Sequence, residues 1–213
     1  MSDLRKESEY GDIPKCRVTN RKAWKNVSDD TLMEVFKKAQ KNLSYDALQI
    51  DDAVKAKYAE IVGGKAAFDK LAKEGSTYKW TEAFAGAEAL RIGAIPSLAI
   101  TDRSTVESDA ADLYDQKGRP YDVKTFTPWN VINFNWTTTV KERLEYGTYP
   151  GAKGGRYPAV LIFDTGFMGK ATLEAHQSKI AQSLDAWKSS WRIIEVFVDW
   201  TGAGFADYRI EQR

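Results

Sequence analysis

The sequence predicts an α/β (α+β) chain, with a helical N-terminal section followed by a mixed β-sheet core flanked by helices. Three observations carry that reading. Apolar residues recur at helical spacing up to about Leu90. Beyond Ile95 short alternating runs replace them. Near the end, two near-continuous apolar runs, "YPAVLIFDTG" and "WRIIEVFVDW", bracket a helical stripe. Strand, helix, strand at that spacing is a parallel crossover, expected to be right-handed, in a sheet buried on both faces.

In chain order, "SDDTLMEVFKKAQKNL" opens with cap-type residues and carries Leu32, Phe36, Ala39 and Leu43 along one helical face. Val54, Tyr58 and Ile61 repeat the spacing before Gly63 and Gly64, a stop signal. Phe68 and Leu71 mark a short helix ending near Gly75, and "KWTEAFAGAEALRIG" gives another from about Lys79 to Gly93. "SLAIT" reads as a first strand, and "AADLYD" with "RPYDVKTF" as a hairpin. "TTVKERLEYG" reads as a short helix. In "KATLEAHQSKIAQSLDAWKS", Leu173, Ile180, Leu184 and Trp187 form the stripe between the two buried runs. The change of texture divides the chain into a helical section over 1–78 and a core over 79–213.

Composition narrows the chemistry. The 213 residues are 43% hydrophobic, 29% charged and 12% aromatic, the balance of a soluble globular protein with material for a buried core. Runs such as "AVLIF" are too short to span a bilayer, and the charged opening "MSDLRKESEYGD" has no apolar segment of a secretory signal, so a cytoplasmic site of action is expected. A single cysteine, Cys16, excludes an internal disulfide and a multi-cysteine zinc site. A single histidine, His176, excludes a His-rich metal centre. A net charge of +1 says nothing of nucleic acid, because local patches set such binding. Catalysis would rest on carboxylates, lysines and a hard metal ion.

The stretch "DLYDQKGRPYDVKTF" holds two acid-x-Lys triplets. Asp115 and Lys117 fall at the hairpin tip beside Gly118, where charges are simply solvated. Asp122 and Lys124 fall inside the second strand, where the two-residue period puts them on one face and Val123 on the other. With a turn near Gln116-Lys117-Gly118, Asp112 and Asp122 project to the same side of adjacent strands. Two such carboxylates repel, and a divalent cation between them removes that cost. Oxygen ligands favour Mg²⁺ or Mn²⁺ over zinc, and a neighbouring lysine suits the orienting of a water against a phosphate.

This arrangement, an Asp followed ten residues later by Asp-Val-Lys across a hairpin, resembles the core of the PD-(D/E)xK nuclease superfamily. "TEAFAGAEALRIG" is similar to the family's preceding helix, with Glu82 as its glutamate and Glu88 as the competing choice. The closing unit over 158–200 resembles nuclease domains at the tips of contact-dependent growth inhibition toxins. The likeness runs from about Lys79 to Trp200, and it departs from the family in having Ala111 where a proline precedes the first Asp. Asp109 competes with Asp112 for the first ligand position. The resemblance implies a restriction-endonuclease-like fold and hydrolysis of phosphodiester bonds. It implies Asp112, Asp122 and the Val123 carbonyl as ligands of Mg²⁺ or Mn²⁺, Lys124 as the water-positioning base, and Glu82 acting through a water or a second metal. Its expected partners are DNA or tRNA, with an immunity protein for a toxin or a second copy of the chain, as a homodimer, for a restriction-type enzyme. A non-enzymatic interaction module on the same fold is the reading from another class.

Other features have two readings each. His176 sits at a helix edge or contacts a substrate phosphate. "TFTPWNVINFNW" packs a core or stacks on unpaired bases. "YPGAKGGRYP", with Lys153 and Arg156, is a long turn or a basic loop, and it lacks the spacing of a P-loop.

Overall fold

The computed structural model describes residues 16–19, 52–100, 111–126, 148–150, 156–158, 160–167, 192–200 and 209–212. The helices expected over 28–43, 138–147 and 170–189 lie outside those residues, as do Asp109, Lys153 and His176.

The described chain is mixed α/β. Strand β1 (Cys16–Thr19) is followed by helix α1 (Asp52–Ile61) and helix α2 (Lys65–Ala72). The short strands β2 (Lys73–Glu74) and β3 (Thr77–Tyr78) lead into helix α3 (Trp80–Arg91). Strands β4 (Leu113–Tyr114), β5 (Pro120–Thr125), β6 (Thr148–Pro150), β7 (Arg156–Pro158), β8 (Val160–Asp164), β9 (Arg192–Val196) and β10 (Arg209–Gln212) complete the order.

The expected helical spacings hold where they are described. In α1, Val54 and Tyr58 stand one turn apart and are buried, and the helix gives way at Gly63 and Gly64, both at positive φ. Helix α2 ends at Ala72, before Gly75, because residues 73–78 turn back as a small hairpin. Two departures from the helical reading of the N-terminal section follow from pairing. Lys73–Tyr78 forms that hairpin, and Cys16–Thr19 is a strand set antiparallel to β10.

The principal sheet has four strands in the order β4-β5-β8-β9. It is mixed: β4 and β5 form an antiparallel hairpin, while β5, β8 and β9 run parallel. All of β8 is buried, as its near-continuous apolar run requires. The expected strand at "SLAIT" is absent, since residues 97–100 form no ladder. Ala99 makes a single backbone bond to the Tyr114 carbonyl, at 2.8 Å, beside the edge of β4.

Leu113, Tyr121, Val123, Val160, Ile162, Ile194 and Val196 share one core with Val54, Tyr58, Phe68 and Phe84 of the helices. The core therefore runs across position 78. Aromatic rings bind it together, with Phe84 meeting Tyr58 at 5.1 Å, Phe68 at 4.9 Å and Trp200 at 5.0 Å between centroids. The two-residue period puts Asp122, Lys124, Leu161 and Phe163 on the opposite face of the sheet.

One close approach sets the geometry of the site. A Cβ at Gly86 would lie 2.5 Å from Leu113 Cδ1. The missing side chain lets α3 lie directly against β4, the strand that follows Asp112.

Candidate active site

The β4–β5 hairpin turns on Asp115. Its Oδ1 accepts from the Lys117 and Arg119 N–H groups, each at 2.9 Å, and its Oδ2 accepts from the Tyr121 hydroxyl at 3.3 Å. Gly118, at φ 88°, supplies the left-handed residue that closes the turn. The solvated tip expected from the sequence is therefore half right. Lys117 is exposed, but Asp115 is only 1% exposed and organises the backbone around it.

Leu113 pairs with Tyr121, and one further step along the same register puts Asp112 opposite Asp122. Asp112 extends the pairing with its side chain, its Oδ2 accepting from the Val123 N–H at 2.6 Å. Lys124 folds back along its own strand. Its ammonium donates to Asp122 Oδ1 at 2.8 Å and to the Val123 carbonyl at 3.3 Å. The other oxygen of Asp122, Oδ2, is buried with no hydrogen-bond partner.

Electrostatics join these groups to α3. Asp112 is half-buried as a residue, yet its carboxyl is held well above the ordinary aspartate range. Withdrawal from water is the largest cause, followed by the charge of Glu82 and then that of Asp122, with Lys124 opposing them. The nearness of the Asp122 carboxyl further favours the protonated form, and a proton or a cation between the two groups relieves their repulsion. Glu82, half-buried in the first turn of α3, is thus within electrostatic reach of the hairpin.

The competing glutamate has another role. Glu88 is sealed from solvent and paired with Arg91, Nε to Oε2 at 2.9 Å and Nη2 to Oε1 at 2.7 Å. Burial raises its pKa in spite of that partner. Its companions are Tyr58, Asp164 and Asp199, a second buried cluster that reading of the sequence did not single out. Asp164 Oδ1 accepts from the Gly166 N–H at 2.8 Å and the Val198 N–H at 3.3 Å, and burial pushes its pKa up to about 7. Asp199 pairs with Lys57 at 2.5 Å, and its N–H donates to the Tyr58 hydroxyl at 2.7 Å. Withdrawal from water raises the Tyr58 phenol well above its usual range, with the charge of Glu88 adding to it. A signal for these acids is present in the sequence, since "VLIFD" and "VFVD" each close an apolar run with an aspartate.

Among the described residues, no group of three or more His, Cys, Asp or Glu is placed to hold a metal ion. The smaller donor set of Asp112, Asp122 and the Val123 carbonyl suits Mg²⁺, which keeps most of its waters and takes one or two carboxylates. The orphaned, buried Asp122 Oδ2 beside a second carboxyl is the observation that fits such an ion. Among the described residues, no helix is long and apolar enough to cross a membrane. Comparison of the chain with protein-family models, curated proteins and solved structures returns no match.

Proposed function

We propose that the chain is a metal-dependent nuclease of the PD-(D/E)xK type, hydrolysing phosphodiester bonds of DNA or tRNA. The observation that carries this reading is the meeting of Asp112 and Asp122 across the hairpin, with Lys124 on Asp122 and Glu82 within electrostatic reach. The mixed sheet, with an antiparallel hairpin leading into parallel strands and α3 packed across one face, supports a restriction-endonuclease-like core.

Asp112, Asp122 and the Val123 carbonyl would hold Mg²⁺ or Mn²⁺. When bound, such an ion supplies positive charge against the scissile phosphate and favours attack by water. Lys124 positions that water and offsets charge on the phosphate through its ammonium. Asp112 is fixed by the Val123 N–H, which holds its carboxylate in place without rearrangement. Glu82 acts through a bound water at the same opening. Water adds to phosphorus, the phosphorus–oxygen bond to the leaving nucleoside breaks, and a proton passes to the departing oxygen.

The favoured biological role is an antibacterial toxin nuclease that acts in the cytoplasm of a target cell and is held by an immunity protein. A restriction-type or defence endonuclease, working as a homodimer on DNA, is the alternative. The reading from a different class is a non-enzymatic nucleic-acid or protein interaction module on the same fold. One gel separates enzyme from module, and DNA from tRNA as the substrate. The chain is incubated with plasmid DNA and with total tRNA, in Mg²⁺ or in EDTA. We expect cleavage in Mg²⁺ alone; cleavage of tRNA would exclude the restriction-type alternative, and host toxicity on expression, relieved by Lys124→Ala, would favour the toxin if DNA is cut. Intact DNA and tRNA in both Mg²⁺ and Mn²⁺ would leave the module.

A further inference from the structure

In an extended strand, side chains two residues apart stand side by side about 7 Å from one another. A lysine in that setting has the length to reach outward from the sheet. Lys124 does the opposite, turning back so that its ammonium lies on Asp122 Oδ1 and the Val123 carbonyl, with its side chain still 23% exposed. The carbonyl is one of the ligands that the proposed function assigns to the divalent ion, and Oδ1 belongs to the same carboxylate as the Oδ2 that fits that ion. An ammonium and a divalent ion cannot share them, because like charges a few ångströms apart repel strongly where water is scarce.

We infer that Lys124 is a built-in place-holder for the divalent ion, neutralising the Asp122 carboxylate and covering the Val123 carbonyl until the ion binds and displaces it. The inference rests on the metal-nuclease reading and concerns the regulation of that site. Its physical basis is the cost of leaving Asp122, 4% exposed as a side chain, without a positive partner. Lys124 meets that cost until an ion does. The displaced ammonium is then free to swing on its flexible stem toward a phosphate, so that arrival of the ion and readiness of the lysine become one event. Coupling of this kind is reciprocal. A phosphodiester that holds Lys124 outward strengthens ion binding by the factor by which the ion strengthens phosphodiester binding.

A site that is open for only a fraction of the time binds more weakly by that fraction. A lysine folded back about nine-tenths of the time weakens ion binding about tenfold. The test is Mn²⁺ alone, counted by the electron paramagnetic resonance signal of the free ion. It is titrated into the unaltered chain and into Lys124→Met and Lys124→Gln, with folding of each checked by circular dichroism. Glutamine keeps a neutral donor for Asp122, so at least one variant retains the local bond. We expect both variants to bind Mn²⁺ about tenfold more tightly than the unaltered chain, and Asp122→Asn to bind more weakly than all three. Equal or weaker binding in the Lys124 variants overturns the place-holder while leaving the metal site standing. Mn²⁺ left free by every chain removes the metal site itself, and the proposed function falls with the inference.

Discussion

The sheet carries a cluster of acids on each side, and the two differ in what faces them. On one side Asp112 and Asp122 meet each other, with Asp112 and Glu82 half-buried and Lys124 partly open to solvent. On the helix-packed side Glu88 and Asp164 are fully enclosed, and Asp199 is nearly so. Glu88 there has Arg91, Asp199 has Lys57, and Asp164 has two backbone N–H groups. Asp112 and Asp164 are both pushed toward the protonated form by burial. A perturbed carboxyl therefore does not by itself mark a working site. What separates the two clusters is the partial exposure of Asp112 and Glu82, together with two acids that confront each other across the hairpin besides the donors each holds.

The contrast predicts opposite consequences for opposite mutations. The largest effect belongs to the open cluster. Asp122→Ala or Lys124→Ala should lower Mg²⁺-dependent cleavage on the order of a thousandfold or more, with the far-ultraviolet circular dichroism spectrum unchanged. Full cleavage by either purified variant would break the assignment of the hairpin.

The next effect belongs to the enclosed cluster and appears as pH dependence of stability. Asp164, pushed up to about 7 in the folded chain, keeps its proton where the unfolded chain has already lost it. Its contribution is fully present below about pH 4 and is lost as pH rises through about 7, a loss of at most about 4 kcal/mol. Urea melts across that window should show stability falling with rising pH. Asp164→Asn should flatten the slope, leaving only what Asp112 and Glu88 add in the same direction.

The smallest effect is on the ion pair beneath α3. Glu88→Ala should destabilise the fold by about 3 kcal/mol, the lower end for a broken buried pair, because Arg91 keeps a route to solvent. Cleavage per folded molecule should be unchanged, as measured by specific activity against the folded fraction. A selective loss of cleavage would erase the distinction between the two clusters.

Much of this was legible in the residues, and the rest was hidden for physical reasons. The β4–β5 hairpin and the pairing of Asp112 with Asp122 follow from alternation, because a period of two fixes which side chains share a face. The parallel pair β8 and β9 follows from runs too apolar for a half-exposed strand. Asp115 was misread as a solvated tip because its work is capping backbone N–H groups, which leaves no mark in a hydropathy pattern. The choice between Glu82 and Glu88 depended on which face of α3 lies against β4, and Gly86 decides that through a contact with Leu113. "SLAIT" has strand composition, but over 97–100 it makes one backbone bond to β4 and no ladder. The strand character of Cys16–Thr19 depends on a partner almost the whole chain away, beyond the reach of any local pattern.

That last pairing bears on how the chain is born. Cys16–Thr19 leaves the ribosome well before Arg209–Gln212, to which it bonds from Cys16 opposite Gln212 to Thr19 opposite Arg209. The hairpin, α3 and the parallel strands can assemble during synthesis, but this ladder must wait. Until then the early strand presents an unpaired edge, the kind of surface that chaperones cover and that neighbouring nascent chains can seize. Its closure is a contact of the highest sequence separation among the described strands, and such contacts form slowly. Clasping the two stretches is thus expected to be a late event among the described pairings, the one that ties the earliest described strand to the last.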